Sequence, residues 1–335
     1  MLFKKAILFT DIHYGAKNNS NQHNIDCFEF VTWMIDLARR EQCDTCIFLG
    51  DYHNNRSTMN LKTMSYAVES LELLSENFTQ TFFILGNHDL FFKDTRDIHS
   101  APWAKHINNV TVIHKPTVIE DVLFCPWLVG TEWKNISKKK GKYVFGHFEL
   151  PHFFMNAMIE MPNYGEIQLE TFKNFELGFS GHFHKRQNQK NMHYIGNTFP
   201  HNFADAWDDN RGVCILEWGK EPEFYTWEDQ PTFRTLKLSR LIDEAATIIK
   251  PKQHLKVVLD IDISYEEASF IKETFMSQYE LRELAFLSEK KVIDLDTSLE
   301  VQTFVSVDQI VIEGLNSLES DTFDIKTLTD IYNEI

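Results

Sequence analysis

The chain has 335 residues, 43% of them hydrophobic, and a formal net charge of −16 from 33 basic and 49 acidic side chains. No apolar run approaches the roughly 20 residues a membrane helix needs, so no membrane association is expected. The acidic balance excludes a protein that holds nucleic acid by bulk charge alone, and five scattered cysteines exclude a disulfide framework.

Residues 6–9 form the first short apolar run, and Asp11-Ile12-His13 follows it. Four apolar residues are too few for a secretory leader, so a cytoplasmic location is expected. Residues 25–38 then place Ile25, Phe28, Val31, Ile35 and Ala38 at helical spacing. The run 46–49 leads into Gly50-Asp51, with Cys43-x-x-Cys46 at its start reading as structural. A second helical pattern covers 61–78, and the run 82–85 leads into Gly86-Asn87-His88-Asp89. Strand, helix, strand, helix, strand predicts an α/β unit with parallel strands. After residue 110 the runs shorten (110–113, 118–119, 122–124, 143–145, 192–195 and 213–218) and predict a second, more antiparallel sheet. Gly146-His147 follows the run 143–145, and Gly181-His182-Phe183-His184 follows 177–179. The fold class expected is α/β, an α+β sandwich of two sheets flanked by helices.

Glu228-Asp229-Gln230-Pro231 is a polar break. Beyond it, a strand at 255–263, a helix at 264–279 capped by Ser264 and a strand at 281–287 predict a small βαβ domain. The end reads as two short amphipathic helices, the first opened by a capping box at Ser306 and Gln309. Residues 292–335 hold ten acidic residues against one lysine, a net of −9, which excludes a DNA-binding tail. This helical pair either packs on its own domain or docks into a partner. The domains expected are therefore 1–230, 231–291 and 292–335.

Short continuous apolar runs read as strands buried on both faces. Residues that follow them stand at the carboxyl ends of strands, where open α/β sheets bind ligands. Asp11, His13, Asp51, Asn87, His147, His182 and His184 are thereby candidate metal ligands. Mixed imidazole, carboxylate and amide donors suit Mn²⁺, Fe or Zn²⁺ better than Ca²⁺ or Mg²⁺. Two such ions side by side clamp a phosphoryl group, and Asp51, with two oxygens, is the natural bridge. His88, between Asn87 and Asp89, is the candidate general acid. Lys134, Lys138, Lys139, Lys140 and Lys142 form one basic run, and Lys185, Arg186 and Lys190 another. Each is either a solvated face or, for Lys185 and Arg186 above all, a phosphate contact.

The five motifs resemble those of the calcineurin-like metallophosphoesterase family over about residues 6–218. The resemblance implies one metal on Asp11, His13, Asp51 and His184, a second on Asp51, Asn87, His147 and His182, and a substrate-facing His88. Within the family the chain is similar to the nuclease subunits of SbcCD-type DNA-repair complexes and their counterparts in T-even-like phages. Gly146-His147-Phe148-Glu149-Leu150, Pro126-Trp127, Tyr194-Ile195-Gly196-Asn197-Thr198 and Asp209-Asn210-Arg211-Gly212 carry that likeness. It implies a Mn²⁺-dependent nuclease, a 3′→5′ exonuclease on duplex ends and an endonuclease on single strands, acting in recombination, repair and replication. It further implies a DNA-capping C-terminal domain, a terminal segment that binds an SMC-like ABC-type ATPase, and a homodimer through the helices at 25–38 and 61–78. One departure stands out: the family's second histidine, three places after the bridging Asp, is Asn54 here, with His53 one place earlier as its potential substitute. The same metal set serves phosphoprotein phosphatases and small-molecule phosphodiesterases. The lack of a G-D-x-V-D-R-G sequence argues against the first, and the C-terminal extension argues against both. A decayed, non-catalytic scaffold is opposed by the intact donor set.

Overall fold

The computed structural model describes residues 1–156, 158–164 and 167–288. The terminal helices expected within 292–335, with their capping box, lie outside the described residues.

Strands β1 (Lys5–Phe9), β2 (Thr45–Phe48), β3 (Gln80–Ile84) and β4 (Val110–Ile113) pair in that order, all parallel. Helices α1 (Asn21–Glu41) and α2 (Leu61–Asn77) make the crossovers. Each starts where a side chain replaces a missing backbone acceptor: Ser20 accepts from His23 N–H, and Asn60 accepts from Thr63 N–H. The chain then builds a second sheet from β5 (Thr117–Ile119), β6 (Val122–Cys125), β7 (Gly141–His147), β8 (Phe175–Gly181), β9 (Gln187–Gln189) and β10 (Met192–Tyr194), in the order β5-β6-β7-β8-β10-β9. It returns to the first sheet with β11 (Gly212–Glu217), antiparallel to β1, and β12 (Glu223–Thr226), antiparallel to β11.

The second sheet differs from the antiparallel one that the short runs predict. Strands β6, β7, β8 and β10 are parallel, and only the edge pairs β5–β6 and β9–β10 are antiparallel. The connections 126–140 and 148–174 are the reason, since both are long enough for crossovers and neither is a hairpin. The runs 110–113 and 213–218, expected in this sheet, belong to the first one.

Alternate residues divide the core into layers. Leu8, Ile47, Phe82 and Ile84 of the first sheet meet Phe124, Phe145 and Phe179 of the second. Their neighbours Phe9, Phe48 and Phe83 point the other way, onto Phe30, Met34 and Leu71 of the helices. The outer face of the second sheet packs Leu123, Val144 and Phe148 against Phe153 and Phe172.

A third sheet holds β13 (Thr232–Lys237), β14 (Gln253–Leu259) and β15 (Glu283–Ser288), all parallel, with α3 (Leu238–Ile248) and α4 (Tyr265–Gln278) as crossovers. It therefore has one more strand and helix than the βαβ unit read from the sequence. Ser264 and Glu267 form a reciprocal cap on α4. Arg282 reaches Asp26 at 3.2 Å, and Lys252 reaches Glu29 at 2.9 Å, so this sheet is held against α1. Among the described residues no helix is long and apolar enough to cross a membrane.

Candidate metal centre

The carboxyl ends of β1, β2 and β3 face those of β7 and β8 across one crevice. Asp11 and His13 come from the turn after β1, Asp51 from that after β2, and Asn87 and His88 from that after β3. His147 ends β7, and His182 and His184 follow β8. Every metal ligand expected from the sequence, and His88, is brought to this crevice. Asp11, His13, Asp51, Asn87 and His147 are buried.

Local backbone bends to achieve this. Asp11, His13, Asp51 and His182 all have positive φ, between 51° and 88°. Non-glycine residues rarely adopt this conformation, and it concentrates at functional sites. Close approach explains two of the glycines. A Cβ on Gly50, itself at φ 108°, would stand 2.5 Å from His147 Nδ1, and one on Gly86 would collide with the Asp51 carboxylate.

Asp89 pins the two turns together. Its Oδ2 accepts the N–H groups of Gly86 at 2.9 Å and Asp51 at 3.0 Å, and its Oδ1 those of Tyr52 at 3.0 Å and His53 at 3.1 Å. Burial and the neighbouring Asp51 charge push this carboxyl up to about 7, against the pull of the Gly86 and His53 N–H donors. Donors on both oxygens leave no acceptor for a carboxyl proton, so the ionised form fits the geometry.

The imidazoles are oriented for coordination. His147 Nδ1 donates to the Leu49 carbonyl at 2.8 Å, which turns Nε2 into the crevice, 3.0 Å from Asn87 Oδ1 and 3.4 Å from Asp51 Oδ2. His182 Nε2 lies 3.5 Å from Glu149 Oε1, and its Nδ1 is 2.9 Å from Asn87 Oδ1. Fixing one ring nitrogen on a carbonyl or carboxylate frees the other for a cation. His13 Nε2 is 3.8 Å from both Asp11 Oδ1 and Asp51 Oδ2, and His184 Nε2 is 4.0 Å from Asp11 Oδ1. Neither ring nitrogen of the buried His13 has a hydrogen-bond partner in the protein, an expensive condition unless something else occupies it. Thr10 Oγ at 2.7 Å and His182 N–H at 3.0 Å orient Asp11 Oδ2.

Burial disfavours charge on Asp51, but the His147 hydrogen bond and charge, with His88 and His13, hold its carboxyl well below the usual range. Burial lowers His147, but the Asp51 charge and hydrogen bond outweigh it and drive the imidazole up to about 9, so Nε2 holds a proton that a cation would displace. Burial and neighbouring His88 press His13 well down. Among the described residues, His13–Asp51–His88, Asp51–His147–His182 and His13–His184–His201 each bring donor atoms within 4.8 Å of one another.

Of the three expected phosphate contacts, His53 and Arg186 are engaged within the fold. His53 is fully buried, its Nδ1 2.7 Å from Ser100 Oγ and its ring against Tyr52 and Trp103. Burial lowers its imidazole to about 3, so it braces the turn and offers no ring to a substrate. Arg186 stacks on Phe224 and donates to the Ile195 carbonyl at 3.2 Å, which commits its guanidinium to the sheet. Lys185 lies over the Phe154 ring at 4.9 Å. Asn54, at the departed position, uses its carbonyl to accept from His88 Nδ1 at 2.8 Å. Reasoning from the motifs alone missed Glu149, although it stands inside a quoted motif, and His201, which lies beyond the last one. A cleft of about 290 Å³ beside His147 is lined by Trp127, Trp133, Phe148, Glu149, Met161 and Tyr164, among others.

The pattern of the family described as calcineurin-like phosphoesterase matches residues 4–186. Exonuclease subunit 1 of Enterobacteria phage T4 is 25% identical over 296 residues, 78% of this chain and 86% of its own length. Solved structures are similar in part. A dimetal phosphatase from Danio rerio has a TM-score of 0.38 and 12% identity, over 64% of this chain and 92% of that one. The phosphoesterase Yfce from E. coli has a TM-score of 0.35 and 11% identity, over 68% and 94%. Pseudomonas putida nuclease MPE has a TM-score of 0.33 and 16% identity, over 63% and 84%.

Proposed function

Since this chain belongs to the calcineurin-like phosphoesterase family, we propose that it is a Mn²⁺-dependent DNA nuclease. The observation that carries the reading is the crevice itself, where two buried carboxylates, an amide and four imidazoles converge, among them His13, whose ring nitrogens have no protein partner. Its likeness to a phage exonuclease subunit supports DNA as substrate. The aromatic cleft beside His147 supports a polynucleotide further, because rings of this kind stack unpaired bases.

In this reading Asp11, His13, Asp51 and His184 hold one cation, and Asp51, Asn87, His147 and His182 the other. Such a pair supplies charge neutralisation at the phosphate and an activated water. The protein's own residues do the rest. Glu149 and the Leu49 carbonyl keep His182 and His147 in the ligating tautomer. The His88 Nδ1–H donates to the Asn54 carbonyl and fixes the ring; acting as imidazolium, the ring passes its second proton, on Nε2, to the departing 3′-oxygen and is left neutral with Nδ1–H still bonded to Asn54. The His88 N–H donates to Asp51 Oδ1 at 2.8 Å, tying the acid's position to the shared carboxylate. Activity is 3′→5′ exonucleolytic on duplex ends and endonucleolytic on single strands. Residues 231–291 cap the DNA, and residues 292–335 bind an SMC-like ABC-type ATPase. The protein works as a homodimer in the cytoplasm, in recombination, repair and replication.

The test is hydrolysis of linear duplex and single-stranded DNA by purified protein with Mn²⁺, with EDTA and His88→Ala as controls. Cleavage with Mn²⁺ is expected, abolished by EDTA and lowered roughly 10²–10⁴-fold in the variant, the usual contribution of a general acid. Hydrolysis of bis-p-nitrophenyl phosphate while both DNA substrates stay intact would overturn the nuclease reading and leave a small-molecule phosphodiesterase.

A further inference from the structure

His201 lies outside the five motifs, in the segment that leaves β10, yet its ring faces the metal centre. Its ring centroid is 5.4 Å from that of His13 and 5.4 Å from that of His184. The three rings place one donor nitrogen each within 4.8 Å of one another. His201 is 7% exposed, and its Nε2 has no hydrogen-bond partner in the protein. Both nitrogens of His13 share that condition. Unpartnered buried nitrogens turned toward one point are costly as packing and natural as ligands.

We propose that His201 is a further nitrogen ligand of the cation held by Asp11, His13 and His184. This rests on the two-cation reading above and makes that site the richer in nitrogen, which favours borderline transition ions over Mg²⁺. The segment carrying His201 is built to hold a ligand still. The His201 N–H donates to Asp205 Oδ2 at 3.1 Å, and the other Asp205 oxygen pairs with the fully buried Arg211 at 3.3 Å. Phe203 meets Phe233 of β13 edge to face at 5.0 Å, and the Trp207 N–H donates to the Phe233 carbonyl at 3.2 Å. The third sheet thus backs the strap that presents His201. His23 closes the far side, its ring centroid 5.3 Å from that of His201 and its Nε2 donating to the His13 carbonyl at 3.0 Å.

The test is calorimetric titration of the metal-stripped protein with Mn²⁺, comparing wild type, His201→Ala and His201→Gln. Wild type is expected to bind two cations. In His201→Ala one binds as before and the other at least tenfold more weakly, the loss seen even when only supporting groups of a metal ligand are removed. His201→Gln, which replaces the nitrogen donor with an amide oxygen and keeps much of the ring's volume, is expected to fall between. Two unchanged affinities in a folded His201→Ala or His201→Gln overturn the role of His201 and leave the two-cation reading standing. Failure of wild type to bind two cations overturns both.

Discussion

Replacing Asp89 with asparagine is the sharpest probe of how the crevice is held. The side chain is fully buried, and its two oxygens accept four backbone N–H groups, two from each oxygen. Asn keeps the volume but turns one oxygen into an NH₂ that faces two N–H donors. Each buried donor left unpaired costs about 1–3 kcal/mol, so Asp89→Asn is expected to lose about 2–6 kcal/mol. With an unfolding entropy near 2.1 cal/mol/K per residue, that lowers the midpoint by about 3–9 °C in a chain of this length. Thermal unfolding followed by circular dichroism in EDTA isolates this effect, because no bound cation contributes. A midpoint within 1 °C of wild type would refute the claim that Asp89 pins the turns after β2 and β3.

Two further outcomes follow from the same geometry. Adding Mn²⁺ to the stripped protein raises its unfolding midpoint, by an amount equivalent to about 2.7 kcal/mol per site at a hundredfold excess over Kd; Asp51→Asn, removing the shared carboxylate, is expected to lose most of the gain, and an equal gain in that variant would contradict the ligand assignment. His23, which burial and Lys17 push down to about 4, stays neutral when folded but binds a proton below about 6.5 when unfolded. Its contribution of about 3 kcal/mol is present above pH 6.5 and is lost as pH falls through 4. Urea titrations in EDTA should show that slope in wild type and a shallower one in His23→Gln.

The parts that could be read from the chain are those where burial leaves an unbroken signature. Strands β1, β2 and β3 are covered on both faces, so their sequences are continuously apolar and end abruptly at Asp11, Asp51 and Asn87. Strand direction is not written this way. A three-residue strand such as Met192–Tyr194 carries no polarity signal, and only the long connections between β6, β7 and β8 betray their parallel pairing. Helix α3 was legible in principle, since Leu238, Leu241 and Ala245 recur on one buried face, but the polar break at 228–231 draws attention away from it. His201 escaped because no apolar run ends at it. Its position is set by Asp205, Arg211 and the third sheet, contacts that local periodicity does not encode. His53 misled for the converse reason, since its adjacency to Asp51 in sequence became burial beneath the turn.

The donors of the crevice come from two different sheets, and aromatic rings keep those sheets apart. Phe82 of the first sheet stacks on Phe124 of the second at 4.5 Å, and Phe145 and Phe179 of the second sheet line the same layer. These rings act as shims. Their thickness fixes the span between the Asp11–Asp51–Asn87 side and the His147–His182 side, although none of them is a ligand. Ionic radius, and with it the choice among cations, is therefore gauged partly by the hydrocarbon interior, and a thinner side chain at Phe124 would recalibrate that gauge without altering a single donor.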